Sequence, residues 1–142
     1  MSNKRTSRIT TSLFLLMLVS PFSHAEEVLY CVDELATGIA LHKGKWGEWS
    51  FVKQKRTVKF NDDRSEMVGF DDDEIFACSP LFEVETSPHS WACHDEWGFS
   101  HLFINMATMR YEYANMSPFG YQYGVDAKGN TSRIYAGTCT AF

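Results

Sequence analysis

The sequence predicts an all-β domain, a small antiparallel barrel or sandwich of about eight to ten short strands held by two disulfides. Three observations predict it. Apolar and polar residues alternate with period two in several short runs, and turn-forming residues recur every 8 to 12 positions or so. The chain is also rich in rings, with eleven Phe, six Tyr and four Trp. Alternation gives each strand one face for a core and one for water, and rings cover a thin β core with few rotatable bonds.

Taken in order, residues 28–32 form a nearly continuous apolar run around Cys31, and a second run at 39–41 follows Gly38. The window 31–42 is also the best helical candidate, with Leu35, Ile39 and His42 on one face. Gly38 and the β-branched Thr37 count against a helix there. Residues 44–49 read as a turn leading into a strand at 49–52. Arg56-Thr57-Val58-Lys59-Phe60 alternates cleanly and stops at the turn cluster Asn61-Asp62-Asp63. A brief run at 67–70 is separated by acids from another at 75–78, and Ser90-Trp91-Ala92 makes the next. Alternation beginning at Trp97 continues to Asn105, then resumes at 109–113 and at 119–123 after Pro118. A turn at 126–130 precedes the last strand, 134–139. No repeat, linker or low-complexity tract interrupts residues 26–142, which form a single domain.

Ahead of it lies a different kind of segment. Lys4, Arg5 and Arg8 open the chain, an apolar run fills 9–19, and Pro21 and Ser23-His24-Ala25 end it. That order is a secretory signal peptide cleaved after Ala25, and its core is shorter than the roughly 20 residues a spanning helix needs. The mature chain is therefore expected in the periplasm or outside the cell. Leu29 and Tyr30 before Cys31 do not suit a lipobox, so no lipid anchor is expected.

Removing the leader leaves ten Lys and Arg against eighteen Asp and Glu, a charge near −8. An acidic domain of this kind is a poor match for nucleic acid, whose phosphates demand a basic face. The charges are unevenly spread. Lys43, Lys45, Lys53, Lys55, Arg56 and Lys59 cluster with only Glu48 opposing, whereas residues 62–96 hold eleven acids and one base, Arg64. Such an acidic stretch can steer a cationic partner.

Cys31, Cys78, Cys93 and Cys139 allow three pairings in an oxidising compartment. Cys78–Cys93 and Cys31–Cys139 are the favoured ones. The first joins two short runs into a long hairpin; the second ties the first strand to the last, as closure requires. Loop-entropy estimates are roughly 3 kcal/mol for the short ring and about 4.7 kcal/mol for the long one. Gaps of 47, 15 and 46 residues do not suit zinc.

No catalytic motif emerges. His94 and Glu96 can share a strand face but Asp95 cannot join them, and no HExxH pair occurs. Consecutive acids at Asp71, Asp72, Asp73 and Glu74 lack the alternation of a calcium loop. Ser100 lacks the second glycine of a nucleophile elbow, and His101 beside it should face away. No metal, cofactor or enzymatic activity is expected.

The segment between Cys78 and Cys93 is the more informative feature. A disulfide-braced loop loses little entropy on docking, and this one carries Glu83, Glu85, His89 and Trp91. Together with Asp71, Asp72 and Asp73 for steering, and with Trp46 beside two glycines, these are the candidate binding residues. An exported β domain that opens with Tyr30-Cys31 and ends Gly137-Thr138-Cys139-Thr140-Ala141-Phe142 resembles small periplasmic proteins of Gram-negative bacteria. With its Cys-ringed loop and His89, it is also similar to periplasmic lysozyme inhibitors and to immunity proteins. That resemblance implies a protein partner, a cationic wall-degrading enzyme or toxin. A second reading is a carbohydrate- or small-ligand-binding β domain using Trp46, Trp49 and Tyr121. The export expectation has a direct check: protein recovered from the periplasm should begin at Glu26 by N-terminal sequencing, and a chain retaining its first 25 residues would contradict it.

Overall fold

A computed structural model describes residues 26–71, 74–81, 89–116 and 131–142. Among them every regular element is a strand: β1 (Glu27–His42), β2 (Lys45–Ser50), β3 (Lys55–Phe60), β4 (Glu66–Val68), β5 (Ile75–Pro80), β6 (Ser90–His94), β7 (Ser100–Asn105), β8 (Arg110–Asn115) and β9 (Ser132–Ala141). Consecutive strands from β3 to β9 pair antiparallel, and β1 pairs with both β3 and β9. Eight strands thus close into a barrel. Closure leaves no open edge among those eight, and the interior of such a barrel is about wide enough for side chains to fill.

β1 is the organising strand. Its first part, Glu27 to Val32, pairs with β3, and its last part, Thr37 to His42, pairs with β2 along the same edge. Its other edge pairs with β9 from Leu29 to Ile39, with a register shift between Asp33 and Leu35. The β1–β2 hairpin therefore projects past the barrel mouth. The two runs expected at 28–32 and 39–41 are one continuous strand, because Gly38 is not a break. A Cβ there would lie 2.0 Å from the Ser132 carbonyl oxygen, so glycine permits β9 to approach. The turn expected over 44–49 is tighter than anticipated. Lys43 and Gly44 both take positive φ, 50° and 75°, the two-residue hairpin geometry that matches strand twist. The strand expected from Trp97 begins at Ser100 instead, because Asp95 accepts the Phe99 N–H at 2.8 Å and folds 95–99 into a turn. The expected strand at 119–123, the turn at 126–130 and the leader lie outside the described residues.

Inward residues follow the alternation closely. Leu29, Val58, Phe60, Met67, Phe76, Leu102, Ile104, Tyr111, Tyr113 and Tyr135 are buried together with Phe70. The interior also holds charge. The Asp33 carboxylate pairs with the Arg56 guanidinium, and their side chains are 0% and 7% exposed. It also accepts the Tyr111 hydroxyl and, at 2.8 Å, the Gln54 N–H. Arg56 Nε donates to the Phe70 carbonyl at 3.0 Å. Its guanidinium lies between the Phe70 and Tyr135 rings, 4.6 and 4.7 Å from their centroids. Gly137 makes this possible, since a Cβ there would sit 2.8 Å from the Tyr111 hydroxyl and 2.1 Å from the Val32 carbonyl.

Both disulfides form as expected. Cys31–Cys139 and Cys78–Cys93 each join directly opposed residues on neighbouring strands, with Cα atoms 4.0 Å apart. The first spans 108 residues and locks the β1–β9 seam at which the barrel closes. Two formed disulfides, with no free cysteine among the described residues, fit an oxidising compartment outside the cytoplasm. Among those residues no helix is long and apolar enough to cross a membrane.

Removing one member of a buried ion pair strands the other, at a cost of about 3–5 kcal/mol, whereas replacing both by apolar side chains can be near neutral. Asp33→Ala or Arg56→Ala should therefore lower unfolding stability by about that amount in denaturant titration. The double variant Asp33→Leu/Arg56→Met should lose less than either single one. Equal, additive losses would show that the two side chains are not coupled.

Candidate functional site

Strand directions divide the barrel into two ends. Turn 61–65, Leu81, His89 and turn 106–109 lie at the end towards which β5 runs, here the staple end. The tip of the β1–β2 hairpin, Phe70, Asp71, Glu74, turn 95–99, Met116 and Thr131 lie at the other, the hairpin end. This division separates the sequence-predicted binding residues. His89 and Trp91 belong to the staple end, whereas Asp71 and Trp46 belong to the hairpin end. Asp72, Asp73, Glu83, Glu85 and Tyr121 lie outside the described residues.

At the staple end the base of the β5–β6 connection is well fixed. Below the disulfide, Leu81 N–H donates to the Ser90 carbonyl at 2.8 Å, and Met106 N–H donates to the His89 carbonyl at 2.8 Å. The neighbouring β3–β4 turn is tied to the same base: Cys78 N–H donates to the Ser65 carbonyl at 2.7 Å. Trp91 packs inward against the core, with the Arg64 guanidinium 5.8 Å from its ring. Its indole N–H is buried with no acceptor among the described residues. Arg64 in turn holds Glu27 at 2.6 Å.

Asp62 and Asp63 stand exposed on this turn with no cation among the described residues, while Lys59 pairs with Glu26 nearby. Hydrogen bonds from the Ser65 side chain and backbone hold the Asp63 carboxyl below its ordinary value, so it stays charged in mildly acid solution. The cross-linked hairpin base therefore sits beside an acidic turn. The acids next to it are Asp62 and Asp63, rather than the Asp71 run to which steering is assigned on sequence alone.

The hairpin end carries a second polar group. Tyr113 OH lies 2.9 Å from Asp71 Oδ2 and 3.2 Å from Ser100 Oγ, and Asn115 Nδ2 donates to Ser100 Oγ at 2.8 Å. Burial, with Asp95 and Asp71 close by, raises the Glu74 carboxyl above its usual value. Ser100 is buried, and His101 faces out with its Nε2 3.0 Å from the Gly98 carbonyl. No imidazole is thus placed to activate that hydroxyl among the described residues. Nor, among them, is any group of three His, Cys, Asp or Glu side chains arranged to hold a metal ion.

Sequence reading passed over the Asp33–Arg56–Tyr111 cluster; it found the Asn61-Asp62-Asp63 turn and counted its acids in the acidic stretch, but did not place it beside the Cys78–Cys93 hairpin. The available signal for Asp33 was parity: it shares the face of Leu29 and Cys31 and so had to point inward. No known protein family, curated protein or solved structure matches the chain.

Burial pushes the Tyr111 phenol well above the usual tyrosine range, helped by the Asp33 carboxylate that accepts its proton. Burial does the same for Tyr113, opposed by its hydrogen bond with Ser100 and reinforced by Asp71. Both groups have folded values above the unfolded one, so their contribution is complete below pH about 10 and falls as pH rises beyond it. An ultraviolet titration should show late-ionising tyrosines whose transition coincides with alkaline unfolding, and Tyr113→Phe should remove one of them. Ionisation of every tyrosine near pH 10 with the fold intact would contradict this.

Proposed function

We propose that this chain is an exported binding module that acts on a cationic protein, as an inhibitor or immunity protein does towards a cell-wall-degrading enzyme. One observation carries the reading: a cross-linked hairpin base, hydrogen-bonded to an acidic turn, at one end of a barrel filled by its own side chains. We assign recognition to the ends of the barrel. At the staple end, the base of the β5–β6 hairpin is restrained by Cys78–Cys93 and by the backbone bonds of Leu81 and His89. Restraint before binding lowers the ordering cost of docking, and Asp62 and Asp63 beside it favour a basic surface. His89 and the flanks of the loop make the contact, and the periplasm is where such a partner is met.

A second reading, carbohydrate or small-ligand binding, is favoured by the exposed Trp49 ring beside His42 on the projecting β1–β2 hairpin.

The protein-binding reading is tested with mature protein, residues 26–142. It should inhibit, or co-purify with, a cationic lysozyme in low salt, and added salt should weaken the effect. Cys78→Ser/Cys93→Ser, which keeps the Cys31–Cys139 seam, should weaken inhibition by about tenfold or more, as should Asp62→Asn/Asp63→Asn. Absence of any partner from periplasmic extract, together with no inhibition, would refute the proposal.

A further inference from the structure

The projecting β1–β2 hairpin presents a face that the staple end does not use. Gly38 is paired with Trp49, Ala40 with Gly47 and His42 with Lys45, so these six residues share one face. The small residues between them let the two rings lie together: the centroids of His42 and Trp49 are 5.0 Å apart with their planes at 32°. The Trp49 ring keeps 41% of its residue exposed, and nothing lies within 4 Å of where a Gly47 side chain would start. The result is an exposed aromatic pair, the two rings leaning against each other.

The same face is cationic. β9 pairs Arg133 with Gly38 on the side opposite Trp49, so the guanidinium and the indole flank one glycine. Arg133 bonds Thr131 Oγ1 at 2.8 Å and lies over the Phe51 ring. Lys45 belongs to the face itself, and Lys43 stands exposed at the hairpin tip. None of these three cations has a carboxylate partner among the described residues. In a chain whose overall charge is negative, cations with no carboxylate partner among the described residues, collected around an exposed ring, are an electrostatic match to an anion. The ring beside them is a match to a flat, weakly polar surface.

We propose that this face binds an anionic saccharide. A sugar ring stacks on the exposed Trp49 beside His42, and anionic groups on the glycan are met by Lys45 towards the hairpin tip and by Arg133 on the β9 side. A lone acidic peptide satisfies the cations and leaves the rings unused, which is why the saccharide is the better match. The site lies at the end of the barrel opposite the stapled connection, so it stands or falls independently of the protein-binding reading.

The test is a tryptophan-fluorescence and calorimetric titration of the mature protein with defined probes. These are an oligogalacturonate hexamer, a phosphorylated mannan fragment, a neutral N-acetylglucosamine hexamer and poly-glutamate. Binding of the carboxylated or the phosphorylated glycan, stronger than binding of both the neutral glycan and poly-glutamate, supports the site and tells which anion it takes. Trp49→Ala and Lys45→Gln should each weaken that binding by about tenfold or more. Both positions are exposed, so the folded circular-dichroism spectrum should be retained. Binding should also weaken as salt rises. Binding to neither anionic glycan, equal binding of poly-glutamate, or affinity unchanged in Trp49→Ala would each overturn the proposal.

Discussion

A carboxylate buried inside a small barrel constrains everything around it. Asp33 has no exposed side-chain surface, and an isolated charge there would be costly. Its partners come from separate parts of the chain: Arg56 from β3, Tyr111 from β8 and the Gln54 N–H from the segment before β3. Gly137 on β9 must be small for the tyrosine hydroxyl to reach it. A one-residue slip of β1 would turn Asp33 outward and its apolar neighbours with it. The cluster thus fixes the relative register of β1, β3, β8 and β9. In net energy such a pair gains little over apolar residues of the same size; its contribution is to a single arrangement.

The disulfides complement this network. Cys31 and Cys139 cross-link the strands that close the barrel, one inward position from Asp33 and Gly137. Cys78 and Cys93 cross-link the base of the β5–β6 hairpin. One bond acts on closure and the other on the hairpin. Stacked rings of Phe70, Tyr113 and Tyr135 occupy the space between the two polar groups of the interior.

The two proposed recognition surfaces lie at opposite ends. The staple end combines a cross-linked hairpin base with an acidic turn. The hairpin end combines exposed rings with cations that have no carboxylate partner among the described residues. A chain with a strong net charge can carry opposite local fields when rigid strands hold them apart, since at physiological salt a separation beyond about 8 Å is largely screened.

Much of this was legible in the residues themselves. Period-two alternation in 56–60 and 109–113, the recurrent turns and four cysteines determined the all-β class and the two cross-links. Alternation is a local consequence of one buried face, and an even cysteine count limits the pairings. The tertiary structure alone decided between barrel and sandwich, because closure depends on β1 finding both β3 and β9. It also turned Gly38 from a break into a point of close approach, and it set Asp71 and His89 at opposite ends of β5. A sequence gives distance along the chain, and only strand direction converts that into distance in space. Asp33, Arg56 and Tyr111, far apart in order and mutually necessary in the core, mark where local pattern ends and long-range geometry begins.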